Sequence, residues 1–101
     1  MYFLYILYSA SSDLYYIGIS ESPFIRLQVH NNHHRKTFTS KHRPWTMAAL
    51  FECSEDLGTA RKIENFLKKN KTRRLIEWLI DPLNTPDGAL AQLVRVPHVR
   101  D

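Results

Sequence analysis

The sequence predicts an α/β (α+β) domain: a small, mainly antiparallel three-stranded sheet flanked by helices. Three observations predict it. Three apolar runs, over residues 1–9, 14–20 and 45–53, have the length and composition of strands. The segments that follow the second and third runs space their apolar residues at helical intervals behind Ser or Thr caps. The 101 residues, 44% hydrophobic, suffice for one domain with a modest core.

The first run is apolar on both faces, as in a strand that is central or covered on both sides. Ala10, Ser11, Ser12 and Asp13 form a turn cluster, and Leu14 opens a second strand, so the two runs predict a hairpin. Gly18 within the second strand signals close approach of another backbone or of a ligand. Ser20 or Ser22 caps a first helix, with Pro23 in its first turn. Phe24, Leu27 and Ile25 are its candidate inward residues, and it ends near Asn31. Residues 33–44 are polar, basic and loop-like. After the third strand, Ser54 opens a long helix with Glu55 and Asp56 in its first turn, where the helix dipole favours acids. Leu57, Ala60, Ile63, Leu67 and Asn70 follow helical spacing, and Glu64 falls at the edge of that stripe. Thr72 caps a third helix through Ile80, ended by Asp81 and Pro82. Residues 1–82 make up the domain. Residues 83–101 form a C-terminal extension, with turn chemistry over 84–88 and a short apolar helix or strand over 89–96.

No apolar run approaches ~20 residues, so the chain is expected to have no membrane span. The N-terminus lacks a basic leader and a cleavage site, so no signal peptide is expected. Cys53 stands alone, which fits a buried thiol in a reducing, cytoplasmic setting. The net charge is +4. Seven of the fourteen Lys and Arg lie between Arg61 and Arg74, and Arg35, Lys36, Lys41 and Arg43 form a second cluster. Such clustering suits phosphate contacts or a solvated helix face.

Five polar residues stand at regular places in these segments: Tyr5, Tyr16, Arg26, His30 and Glu64. Arg26 and His30 are four apart on the first helix, and Glu64 is the only acid between Arg61 and Arg74. Two phenols, a guanidinium, an imidazole and a carboxylate are the parts needed to cut a phosphodiester with one divalent metal. Each also has a plainer use: strand tyrosines pack in cores, and Glu64 can pair with Lys68 one turn on. His30, His33 and His34 do not have the spacing of a structural zinc set.

The set sits within Phe3-Leu4-Tyr5 and Tyr15-Tyr16-Ile17-Gly18-Ile19-Ser20, followed by Pro23, Arg26-Leu27, His30-Asn31, Phe38-Thr39, Arg43-Pro44-Trp45 and Ala60-Arg61-Lys62-Ile63-Glu64. In this order the segments resemble the small stand-alone branch of the GIY-YIG nuclease family, over residues 1 to about 80. The second motif, Tyr16-Ile17-Gly18, is complete; of the first only Tyr5 is kept, with Phe3 in place of glycine.

The resemblance implies an endonuclease acting on DNA with one Mg²⁺ or Mn²⁺. Glu64 would hold the metal and Arg26 the phosphate. Tyr5 would align or deprotonate the water as a phenolate favoured by Arg26 and the metal, with Tyr16 in support. His30 would relay a proton or donate to phosphate near its titration range. Arg35, Lys36, Lys41, His42, Arg43, Lys68, Lys69, Lys71 and Arg73 are the candidate DNA contacts. Without an attached reading domain, the expectation is weak sequence specificity and targeting by DNA structure or by a partner protein. The rival readings are a nucleic-acid-binding module without turnover and a basic protein-interaction domain.

Overall fold

The sheet has four strands in the order β2-β1-β3-β4 in the structure, a computed structural model that describes residues 1–33 and 36–97. β1 (Tyr2–Ser9) is central and pairs antiparallel with both β2 (Leu14–Ser20) and β3 (Trp45–Ser54). Being central explains why β1 is apolar on both faces. In the hairpin turn Asp13 adopts φ 54°, a left-handed conformation that Asp tolerates.

The two faces bury different sets. Leu4, Ile6, Ile17, Phe51 and Cys53 point to one core; Tyr5, Leu7, Trp45, Met47 and Leu50 point to the other. A bulge in β3 makes this possible. Ile6 pairs with Ala49 and Leu7 with Met47, so Ala48 is an extra residue that flips the alternation. Trp45 and Met47 thereby face one side, while Ala49, Phe51 and Cys53 face the other.

α1 (Pro23–Asn32) lies on the Tyr5 side. Its inward residues are Pro23, Leu27 and His30, at i, i+4 and i+7. Phe24 and Ile25, expected inward, are exposed because that stripe turns them to solvent. Ser22 stands at the N-cap but makes no side-chain cap bond.

α2 (Leu57–Asn70) and α3 (Arg73–Ile80) cover the opposite core with Ala60, Ile63, Leu67, Ile76 and Leu79. Each such side chain, fully buried, contributes ~1.5–3 kcal/mol, less for Ala60. The cap of α2 is Asp56 rather than Ser54. Its Oδ2 accepts from the Thr59 N–H at 2.8 Å, whereas Ser54 ends β3 and accepts from the Asp56 N–H at 3.0 Å. Glu55 and Asp56 therefore precede the helix instead of filling its first turn. Thr72 caps α3 as its position suggests, accepting from the Leu75 N–H at 3.1 Å.

The expected three-stranded sheet gains β4 (Val94–Arg95), which pairs with Phe51 and Glu52. A single helical turn over Gly88–Leu90 leads into it, and Leu90 and Leu93 enter the α2–α3 core. Gln92 donates to the Cys53 carbonyl at 3.0 Å, and Arg95 donates to the Asp81 and Asn84 carbonyls at 3.1 and 2.9 Å. Among the described residues, no helix is long and apolar enough to cross a membrane.

Candidate active site

Tyr5 leaves the middle of β1 and its ring lies across Gly18, its partner on the edge strand β2. A Cβ placed on Gly18 would sit 2.3 Å from the Tyr5 hydroxyl oxygen. The close approach read from the glycine is therefore that of a phenol, and only glycine leaves it room.

This phenol meets residues from three other elements. A cleft of about 340 Å³ is lined by Tyr5, Tyr16 from β2, Arg26 from α1 and Glu64 from α2. Tyr2, Gly18, Ile19, Leu57 and Arg61 complete its walls. Tyr5 and Tyr16 rings are 6.5 Å apart between centroids. Four of the five residues singled out in the sequence thus share one cavity.

His30 is the fifth, and it stands behind Tyr5. Its Nε2 shares a hydrogen bond with the Tyr5 hydroxyl at 3.2 Å, and its Nδ1 one with Thr39 Oγ1 at 3.1 Å. The Trp45 indole donates to the Thr39 carbonyl at 2.7 Å and fixes that partner in turn. Burial, reinforced by the Arg26 and Arg43 cations, pushes the imidazole pKa from 6.5 down to about 4. The ring is therefore neutral at pH 7, not near its titration range, and it holds a phenol instead of facing solvent. Its 5% exposure supports the same correction.

Of the two groups expected to favour a Tyr5 phenolate, Arg26 and a metal, Arg26 alone does not suffice. Burial raises its pKa, and the Arg26 guanidinium beside it only partly offsets that. In the metal-free protein Tyr5 is a neutral phenol at neutral pH, because desolvation of the anion outweighs one partly hydrated cation.

Glu64 is buried beside Ala60, Ile63 and Leu67, at 7% exposure. Its Oε2 pairs with Lys68 Nζ at 3.1 Å, the one-turn pairing noted as the plainer use of this acid. Lys68 also sits 5.6 Å from the Tyr16 ring centroid. No group of three or more His, Cys, Asp or Glu able to hold a metal occurs among the described residues. A single carboxylate opening on a polar cleft nevertheless suits Mg²⁺ or Mn²⁺, hard cations that keep several waters and take substrate phosphate oxygens.

The candidate DNA contacts divide. Arg43 Nε donates to the His30 carbonyl at 2.7 Å and its Nη2 to the His33 carbonyl, so this guanidinium closes the C-terminus of α1. Arg73 ties α3 to the hairpin through Asp13 and also pairs with Glu77. His42 Nδ1 bonds Ser12 Oγ at 2.8 Å. Lys36, Lys41, Lys69 and Lys71 are exposed. Arg35 lies outside the described residues. Arg61, the first residue of the basic run and three before Glu64, also lines the cleft, as its i, i+3 relation to Glu64 allows. Tyr2, also on the cleft wall, carries no signal in the sequence.

A family model described as the GIY-YIG catalytic domain matches residues 1–77. Comparison with curated proteins finds no match.

Proposed function

Because the chain belongs to the GIY-YIG family, whose catalytic-domain model spans residues 1–77, we propose that it is an endonuclease that hydrolyses DNA phosphodiester bonds with one Mg²⁺ or Mn²⁺. One observation carries this reading: Tyr5, Tyr16, Arg26 and Glu64, drawn from four elements, line one cleft. Arg26 offers the phosphate a planar fork of donors, and Arg61 adds a second cation at the same cavity. These groups address phosphate and carry no base-edge code, which favours low sequence specificity.

Glu64 would hold the ion. Once bound, that ion supplies Lewis-acid stabilisation of the phosphate and of the departing 3′ oxygen. Tyr5 aligns the attacking water. With the proton on Nδ1 donated to Thr39, His30 Nε2 accepts from the Tyr5 hydroxyl and fixes its direction. Burial first, and the Arg26 and Arg43 cations second, keep the imidazole neutral, so that Nε2 stays open to the phenol's proton as a hydrogen-bond acceptor. The phenol oxygen, its own proton held by Nε2, turns a lone pair to the attacking water and accepts a hydrogen bond from it. Tyr16 stands 4.9 Å from the His30 ring, edge-on, and supports the same arrangement.

One contact favours a second reading, a DNA-binding module without turnover: Lys68 occupies the carboxylate that would hold the metal. A nicking assay on supercoiled plasmid with Mg²⁺ or Mn²⁺ separates the two. The nuclease reading expects product from the wild type and a loss of about 100-fold or more in Arg26→Ala and Glu64→Gln with the fold retained. DNA binding without product, unchanged in Glu64→Gln, would establish the module instead.

A further inference from the structure

A second hollow of about 330 Å³ adjoins the first. Tyr16 and Arg26 line both. The second also has Phe38 on its wall, 53% exposed. This ring is held by its neighbours, 4.8 Å from His42 and 6.4 Å from Tyr16 between centroids, nearly parallel to the latter at 28°. Trp45, also at this end, offers no free face: it is buried at 2% and its indole is bonded to Thr39. A lone exposed aromatic is ordinary on a protein surface. Here it shares a hollow with Arg26, whose guanidinium also lines the phosphate cleft, and propped rings in cationic grooves are how proteins hold unstacked bases.

The geometry points to a nucleobase subsite: Phe38 stacks on the base of a nucleotide adjoining the scissile phosphate, while Arg26, common to both hollows, holds that phosphate. This rests on the nuclease reading of the neighbouring cleft. Inside a duplex both faces of a base are covered by its neighbours. A side chain gains a face only when the base is unpaired or swung out of the stack. The substrate class is therefore DNA presenting an unpaired nucleotide beside the cut, as in a flap, a gap, a loop or a branch. Every base has a π-face, so the subsite discriminates structure and tolerates sequence.

The test uses the full chain in EDTA, with 2-aminopurine placed either in an unpaired nucleotide next to a duplex or at the same position fully paired. Wild type is expected to quench the unpaired probe and to bind that DNA more tightly than the paired form. Phe38→Ala is expected to lose the quench and about tenfold in affinity for the unpaired form, with paired-duplex affinity unchanged. Phe38→Trp, which keeps a stacking face, is expected to restore both and to show its own fluorescence quenched by DNA. Equal quench and affinity in wild type and Phe38→Ala, or failure of Phe38→Trp to restore them, overturns the subsite. Cleavage read separately with Mg²⁺ keeps the two proposals apart. Cleavage of paired and unpaired DNA at one rate, without quench, removes only the subsite; quench without cleavage removes only the hydrolase.

Discussion

The hydroxyl of Tyr5 is fixed from two sides, by Gly18 below its ring and by His30 at its oxygen. Each side gives a prediction. In Gly18→Ala the new methyl group meets the phenol, and the ring must move because the contact is with the stiff end of an aromatic group. Cleavage is expected to fall about 100-fold, the usual result of a reacting group displaced by an ångström. Stability should fall by ~1–3 kcal/mol; urea melts and steady-state rates check the two effects. The second prediction concerns acid. The unfolded chain takes up the His30 proton near pH 6.5 and the folded chain near pH 4, so unfolding binds a proton between those values. Stability is full above pH 6.5 and declines as pH drops towards 4, by a total on the order of 3 kcal/mol. His30→Gln should flatten the stability–pH curve in that window; an unchanged slope would mean that the imidazole is not held neutral. The partnership of His30 and Tyr5 was not legible in the sequence. Twenty-five positions separate them, and helix spacing places His30 beside Arg26 but says nothing of what lies beneath the helix.

Among the elements, the hairpin, α1 and α3 were readable almost to the residue, because turn residues, Pro23 and the Thr72 cap mark their ends. Two things were not. The bulge at Ala48 flips the alternation within β3, and an alternation pattern read in a single phase cannot show such a flip. The fourth strand is only two residues long, below the length at which periodicity carries a signal. Its weight in the fold comes from the segment that leads to it. Leu93 is 3% exposed in the same core as Leu67 and Leu79. Leu93→Ala is expected to cost ~2–4 kcal/mol in urea unfolding, in one transition with an unchanged m-value. A cost near zero, or a separate early transition, would show that the C-terminal segment does not share the core.

At the scale of the whole molecule, the positive charge read from the sequence has two uses. Arg43 and Arg73 brace the scaffold, closing α1 and tying α3 to the hairpin, while Arg26 and Arg61 face the cleft. Clustering along the chain could not separate these uses, since a guanidinium bonded to a carbonyl and one awaiting phosphate look alike in sequence. What was legible is the convergence itself. Residues 5, 16, 26 and 64 were singled out by type and order, and the fold brings them to one cavity. The hydrolase reading depends on a cation being able to enter there at Glu64, against Lys68. Anomalous diffraction from a crystal soaked in Mn²⁺ measures that directly. The account predicts one peak bonded to the Glu64 carboxylate inside the cleft of Tyr5, Tyr16 and Arg26, with Lys68 swung away. A saturated soak that leaves Glu64 paired to Lys68, with no manganese in that cleft, would contradict it.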